Sequence, residues 1–247
     1  MAERIDDIGF GNIKLLQDPE EFCYGVDAVL LAHFAANNKV PKKSANVLAM
    51  DLGTGTGIIP MILAAKTGWS KIIGVEVREK SFHLAEKNVE INNLEDRIKF
   101  VHGDVKDHRL LLGDYTGKVD VITCNPPYTK HLGGLKCNND GKSIARHEST
   151  ASLSDFMRCA KNLLRPGGHL FMVHRPARLV DLCYYGRKEG LEPKEMCFVS
   201  PKKGDKANIL LVHFVSGGGE ELKLLEPLNV YESNGKYTRE LLACYDK

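Results

Sequence analysis

The sequence lacks the features of a metal-binding, secreted or membrane-spanning protein. None of its seven cysteines is spaced as C-x-x-C, and the odd count with apolar neighbours, as at Cys124, is typical of reduced cysteines in a cytoplasmic protein. No apolar run approaches the ~20 residues of a membrane span. The N-terminus has no apolar segment of a signal peptide. The formal net charge of +2 neither demands nor excludes a nucleic-acid partner. We therefore expect a cytoplasmic protein without a metal.

Short β-rich segments alternate with helical patterns, which predicts an α/β fold around a mostly parallel sheet. At 247 residues the chain fits a single domain, and we expect a monomer. We divide it into an N-terminal extension with one helix (1–45), a core (46–216) and a C-terminal tail (217–247). The seven predicted strands are Val47–Leu52, Lys71–Val77, Arg97–Val101, Val119–Cys124, His169–His174, Lys194–Val199 and Asn208–Val215.

Four helices are predicted between and before these strands. Asp27–Ala36 has Asp27 as its expected cap, and Ile58–Lys66 is apolar nearly all round, which predicts burial. Ser81–Asn92 is amphipathic, and Ser154–Leu164 should be stopped by the Arg165–Gly168 segment. The segment Thr129–Thr150 has no periodicity and exceeds ordinary loop lengths, which favours a functional loop.

A glycine-rich turn follows the first predicted strand, in Asp51-Leu52-Gly53-Thr54-Gly55-Thr56-Gly57. Glycines in such a turn let the backbone approach a ligand closely at the carboxyl end of a strand. The dinucleotide fingerprint requires a further glycine at position 58, which is Ile58, so a dehydrogenase is disfavoured. The acid-plus-G-x-G-x-G pattern resembles the first motif of class I S-adenosylmethionine methyltransferases, whose fold is Rossmann-like.

That resemblance implies S-adenosylmethionine as the cofactor and gives roles to three acids. Asp51 is expected to bind the methionine ammonium, Glu76 the ribose hydroxyls, and Asp104 the adenine amino group. Each acid follows a predicted strand, although each alone is also compatible with a solvated strand end. With the glycine-rich turn, the expected cofactor contacts are completed by Val77, Val105 and Asn125.

The predicted catalytic motif is Asn125-Pro126-Pro127-Tyr128, directly after the fourth core strand. A base amino group or a side-chain amide has a delocalised lone pair. Acceptors that hold its hydrogens, here the Asn125 side chain and the Pro126 carbonyl, can direct that lone pair at the methyl group. Prolines stiffen the turn, and Tyr128 offers a stacking face. The motif resembles that of the amino-methyltransferase branch, which includes adenine-N6, rRNA guanine-N2 and protein glutamine enzymes.

Further stretches resemble one family, the bacterial tRNA1(Val) adenine-N6 methyltransferases. The stretches are Phe22–Leu31, Ala145–Glu148, His174–Pro176, Ala207–Val212 and Pro227–Thr238. The resemblance implies methylation of the adenine beside the anticodon of a valine tRNA. Substrate contacts are then expected from Tyr128, Arg146, His147 and Arg175.

Local charge is compatible with an RNA substrate. Residues 158–206 contain eleven basic and five acidic residues, which suits phosphate contacts but also a solvated basic face. The main alternative is a protein glutamine methyltransferase, although those enzymes carry a longer helical N-terminal domain. A cofactor-binding RNA chaperone without catalysis is a second alternative, which the intact Asn125–Tyr128 motif disfavours.

Overall fold

The computed structural model describes residues 4–9, 11–17, 25–38, 40, 46–127 and 151–245. The strands are β1 Arg4–Asp7, β2 Lys14–Gln17, β3 Leu48–Leu52, β4 Lys71–Glu76, β5 Ile98–His102, β6 Val119–Cys124, β7 Leu164–His174, β8 Leu191–Lys202, β9 Ile209–Ser216, β10 Lys223–Leu224 and β11 Leu228–Tyr231. The helices are α1 Val26–Ala36, α2 Ile58–Lys66, α3 Glu79–Ile91, α4 His108–Leu111, α5 Leu153–Leu163, α6 Leu179–Lys188 and α7 Arg239–Cys244.

The main sheet confirms the predicted α/β class. Its strand order is β10-β8-β9-β7-β6-β3-β4-β5, with β11 also paired to β8. Strands β3 to β7 are parallel, and β9 is antiparallel to both β7 and β8. All seven predicted strands form. The predicted strand number is nevertheless too small, because the short strands β10 and β11 bring this sheet to nine.

Helices cover both faces of the sheet, which explains why its central strands are nearly continuous apolar runs. One core lies between the sheet and α1, α2 and α7, and the other lies between the sheet and α5 and α6. Helix α2 has the predicted bounds, and all of its residues from Ile58 to Ala64 are buried, as expected. Phe34 of α1 packs edge-on against Phe171 of β7, with ring centroids 5.4 Å apart.

Three helix starts differ from the sequence-based expectation, and the simplest case is α3, which begins at Glu79 and not at Ser81. Helix α1 is preceded by Gly25, and Asp27 lies inside its first turn rather than capping it. An acid there still favours the helix through the dipole. Helix α5 begins after Ser152, whose hydroxyl accepts from the backbone of Asp155, while the Asp155 carboxylate accepts from the Ser152 N–H. This reciprocal pair is a capping box.

The N-terminal hairpin β1–β2 is held to α3 by two asparagines. Asn88 accepts from the Leu16 N–H (2.6 Å) and donates to the Leu16 carbonyl (3.1 Å), as a neighbouring strand would. Asn92 pairs in the same way with the N–H (2.8 Å) and carbonyl (2.7 Å) of Lys14. Asn88 also donates to the Thr56 carbonyl at 3.0 Å, which ties the hairpin to the glycine-rich turn.

Among the described residues, no helix is long and apolar enough to cross a membrane. The five cysteines in the described ranges are all free thiols. Within these ranges no group of three or more His, Cys, Asp or Glu side chains is arranged to hold a metal ion.

Candidate active site

Four neighbouring strands bring the predicted site residues to one edge of the sheet. In the order β6-β3-β4-β5, their carboxyl ends carry Asn125, Asp51, Glu76 and Asp104. Asp51 is in register with Thr123, and Glu76 with His102. Ligands of open α/β sheets bind at this edge.

Asp51 is a buried carboxyl with a perturbed pKa. Its residue is 1% exposed, and its Oδ1 accepts from the Thr123 hydroxyl at 2.6 Å. Burial raises the pKa of Asp51 from the ordinary value of 3.8 to about 6, while the nearby Thr123 and Thr54 hydroxyls lower it and the charge of Glu76 raises it. Oδ2 of Asp51 and the Thr54 hydroxyl are buried, and neither has a well-formed hydrogen bond to a described residue. Thr54 nevertheless lies near enough to affect that pKa.

Buried polar atoms without partners are rare, and two of them side by side indicate a place where a ligand completes the hydrogen bonding. An ammonium group is a suitable partner for Oδ2 of Asp51. A hydroxyl or amino group is suitable for the Thr54 hydroxyl.

Glu76 is buried and already organises the glycine-rich turn. Its Oε2 accepts from the Gly55 N–H at 2.8 Å, and its Oε1 accepts from the Arg78 N–H at 2.9 Å. Oε1 also accepts from Nε of Arg78 at 3.4 Å, whereas Oε2 keeps a second acceptor site for a hydrogen bond from a ligand hydroxyl. Glu76 therefore lies at the end of β4, beside the glycine-rich turn, where a ligand bound against that turn also reaches its carboxylate.

The glycines of the turn serve two different purposes. A Cβ at Gly57, where φ is +84°, lies 2.8 Å from Cζ of Phe100 and 3.4 Å from Cβ of Ala85, so this glycine allows close packing. A Cβ at Gly55, where φ is +58°, meets no atom within 4 Å. Gly55 therefore faces open space, which a side chain at this position would enter.

Asp104 and Val105 form a short turn after β5. The Asp104 carboxylate accepts from the Lys106 N–H at 2.9 Å and lies 3.1 Å from the Lys106 ammonium. Val105 is buried. His108 hydrogen-bonds through Nδ1 to the Val105 carbonyl (2.9 Å) and through Nε2 to the Asn162 amide (3.1 Å). These bonds hold the turn against α5.

The other predicted cofactor residue at this edge, Val77, is 44% exposed directly after Glu76. Its carbonyl lies 3.0 Å from Nε2 of His102. Val77 thus offers an apolar surface beside the carboxylate of Glu76.

The Asn-Pro-Pro segment leaves β6 beside the glycine-rich turn. Asn125 is half-buried, Pro126 is buried and Pro127 is exposed. The next residue, Tyr128, lies outside the described residues, as do Arg146, His147 and the predicted loop Thr129–Thr150. The roles expected of those side chains remain predictions.

Arg175 follows β7 at the same sheet edge and is exposed. Its guanidinium donates to the Asn208 carbonyl at 3.0 Å, and its N–H donates to Nδ1 of the buried His174. Burial and the nearby Arg178 and Arg175 lower the pKa of His174 to about 4. His174 is therefore neutral at neutral pH and braces this strand end without adding charge.

Three positioning side chains were not predicted from the sequence: Thr123, Asn88 and His108. The sequence gives no indication that Thr123 contacts Asp51, because the two residues are 72 positions apart. Asn88 and Asn92 did offer a signal, since two amides at i and i+4 share one face of a helix. His108 had none beyond its place after Asp104.

The chain matches the family model described as the methyltransferase small domain over residues 13–179. It is 31% identical over 235 residues to the tRNA1(Val) (adenine(37)-N6)-methyltransferase of Histophilus somni, covering 94% of this chain and 92% of that protein. It is 29% identical over 177 residues to the protein of the same name from Parabacteroides distasonis, covering 72% and 70% of the two chains.

Solved structures share the fold. A predicted O-methyltransferase from Agrobacterium tumefaciens superposes with a TM-score of 0.70 at 21% identity, covering 89% of this chain and 95% of that one. TYW2 of M. jannaschii in complex with AdoMet gives a TM-score of 0.57 at 13% identity, covering 86% and 84%. At these identities the likeness is one of fold alone.

Proposed function

We propose, because this chain belongs to the methyltransferase small domain family and to the tRNA1(Val) (adenine(37)-N6)-methyltransferases, that it transfers a methyl group from S-adenosylmethionine to N6 of an adenine in tRNA. The proposed target is the adenine next to the anticodon of a valine tRNA. The observation that carries the proposal is the adjacency of Asn125-Pro126-Pro127 to the acid-lined glycine-rich turn at one sheet edge.

The residues present fit the cofactor. Oδ2 of the buried Asp51 lacks a cationic partner, and an amino-acid ammonium supplies one. Glu76 takes the ribose hydroxyls in this proposal, and its Oε2 has acceptor capacity for one of them. Asp104 and the buried Val105 suit a purine with an exocyclic amino group. The open space at Gly55 admits the ligand against the backbone.

When bound, S-adenosylmethionine supplies a methyl group on a sulfonium, a donor that needs no metal. The protein must then present a nitrogen whose lone pair is available. In this proposal the Asn125 side-chain oxygen and the Pro126 carbonyl accept the two N6 hydrogens. Pro126 is buried, and its own ring and that of Pro127 restrict the backbone on both sides of its carbonyl. This carbonyl is therefore held in place before the substrate arrives. Tyr128 stacks on the adenine ring in the same proposal.

The proposal also retains the remaining expectations from the sequence: Arg146, His147 and Arg175 contact the RNA, and the enzyme works as a monomer in the cytoplasm. The basic composition of residues 158–206 supports an RNA substrate.

The test is methyl transfer from tritiated S-adenosylmethionine to three separate substrates: unmodified valine tRNA, rRNA and release-factor protein. A tRNA in which guanine replaces the adenine beside the anticodon is the substrate control. Asn125→Ala is the enzyme control, with cofactor binding measured to show that its site is intact. We expect N6-methyladenosine in the tRNA only, and a loss of about 100-fold or more in kcat for Asn125→Ala.

Label in the release factor alone would replace this function by glutamine methylation. Label in the guanine-substituted tRNA would contradict the proposed nucleotide. Cofactor turnover that is unchanged by Asn125→Ala would contradict the proposed role of that side chain.

A further inference from the structure

A second feature lies at the same sheet edge as the candidate active site, beyond β7. Strands β8 and β11 run parallel to β7, and their last residues, Lys202 and Tyr231, are in register. The β8–β9 turn and the turn after β11 therefore project from the edge that carries Asn125. Four strand spacings separate β11 from β6, about 19 Å along that edge.

The two turns carry exposed lysines. All of residues 202–206 and 231–237 are exposed. The ammonium groups of Lys202, Lys203, Lys206 and Lys236 make no ion pair with any described residue. Only Asp205 and Glu232 oppose them in these segments, so the surface is net positive. Unpaired cations gathered at a substrate-side edge suit phosphate groups.

Next to the lysines lies a preformed aromatic stack. The rings of Tyr231 and Tyr237 are stacked with centroids 5.3 Å apart, and Tyr245 continues the stack at 6.3 Å from Tyr237. Tyr231 is 37% exposed and Tyr237 45% exposed. Tyr237 is the middle ring of the three. Tyr231 is therefore an end ring, and one of its faces is not covered by another ring of the stack.

Two hydrogen bonds hold the backbone beneath the stack. The Glu232 N–H donates to the Lys236 carbonyl at 2.8 Å, and the Thr238 hydroxyl donates to the Asn229 carbonyl at 2.6 Å. A preordered aromatic surface loses little conformational entropy when a planar group stacks on it.

We propose that these two turns form a second RNA contact, here called the lysine–tyrosine edge: Lys202, Lys203, Lys206, Lys236, Tyr231 and Tyr237. Its occupant is a stretch of the same tRNA that carries the target adenine, with one unpaired base stacked on Tyr231 and neighbouring phosphates near the lysines. Aromatic stacking together with backbone charge is how proteins hold single-stranded nucleic acid. At about 19 Å from the end of β6, the base bound here is not the methylated one.

This inference rests on the proposed function and is tested by substrate length. The full chain is assayed with an anticodon stem-loop and with a short single-stranded oligonucleotide that holds only the target adenine and its immediate neighbours. The variants are Tyr231→Ala, Tyr231→Phe and the pair Lys203→Ala/Lys206→Ala. The matched control pair is Lys99→Ala/Lys223→Ala, since these lysines are exposed on β5 and β10, away from both turns.

We expect Tyr231→Ala to raise KM for the stem-loop about fivefold or more, with kcat unchanged, and Tyr231→Phe to restore it. The Lys203/Lys206 pair should raise KM and reduce the slope of log KM against log salt by about 1.4, or 0.7 for each lost phosphate contact on a single strand. The control pair should behave as wild type. No variant should change KM for the short oligonucleotide.

Two outcomes overturn the lysine–tyrosine edge: variants with wild-type KM on the stem-loop, or equal losses in the experimental and control lysine pairs. If Tyr231→Ala lowers the melting temperature, the Lys203→Ala/Lys206→Ala pair decides the question, because those two residues are exposed. A wild-type protein that labels no RNA contradicts the proposed function itself, which separates that failure from failure of this surface.

Discussion

The buried carboxyl of Asp51 should make the cofactor-free protein less stable at neutral pH than an uncharged variant. Folding raises its pKa from 3.8 to about 6, so the native state binds the proton more tightly than the unfolded chain. Stability from this group therefore falls as pH rises from about 4 to about 6, and the full penalty is present above pH 6. A shift of about two units corresponds to about 3 kcal/mol.

The perturbation is Asp51→Asn, which keeps an acceptor for the Thr123 hydroxyl and removes the charge. We expect Asp51→Asn to be more stable than wild type near pH 7.5, by up to about 3 kcal/mol less the cost of a buried amide N–H₂ without a partner. Near pH 5 Asp51 is mostly protonated in the native state, and this difference should shrink by about 1.4 kcal/mol. The same variant should lose affinity for S-adenosylmethionine.

The assay is urea unfolding of both proteins without cofactor at the two pH values, with cofactor affinity measured by calorimetry. Thr123→Val is the matched variant, because it removes a hydrogen bond that lowers the pKa of Asp51. As pH falls from neutral, the free energy of unfolding of this variant should begin to rise at a higher pH than that of wild type. A stability difference between wild type and Asp51→Asn that does not depend on pH would contradict the raised pKa of Asp51. Unaltered cofactor affinity in Asp51→Asn would contradict the expected contact of Asp51 with the cofactor.

Three further predictions concern the glycine-rich turn and its support. Asn88→Ala should destabilise the protein by about 2–4 kcal/mol in urea unfolding, because it leaves buried backbone groups unpaired; Asn92→Ala, at a more exposed site, should cost less, and equal costs would contradict this account. Gly57→Ala should destabilise by about 2 kcal/mol or more through its left-handed φ and close contact with an aromatic ring. Gly55→Ala should cost only about 1 kcal/mol in stability, and its main effect should be weaker cofactor binding. An unchanged cofactor affinity would show that the open space at this glycine is not where the ligand binds.

Local patterns in the sequence were enough to predict the sheet strands and the edge where the site lies. The glycine-rich segment 51–57 and the Asn-Pro-Pro segment both follow apolar strands, and parallel strands end at one edge, so their proximity follows from sequence alone. The same reasoning missed the start of α1, where Asp27 is a plausible cap by residue type but lies one residue inside the helix. Strands β1, β2, β10 and β11 were also missed, because none of them is long enough to show a periodicity.

Local sequence patterns are enough to predict the α/β class, the order along the chain of the strands that carry Asp51, Glu76, Asp104 and Asn125, and the family to which the chain belongs. The pKa of Asp51, the amide contacts of Asn88 and the pairing of β11 with β8 depend on the packed fold. These features depend on contacts between residues that are far apart in the sequence. Thr123 and Asp51 are 72 residues apart, as are Asn88 and Leu16, and burial by both faces of a sheet depends on every element packed against it. A motif is local, whereas the electrostatics and support of a site arise from residues that only the fold brings together.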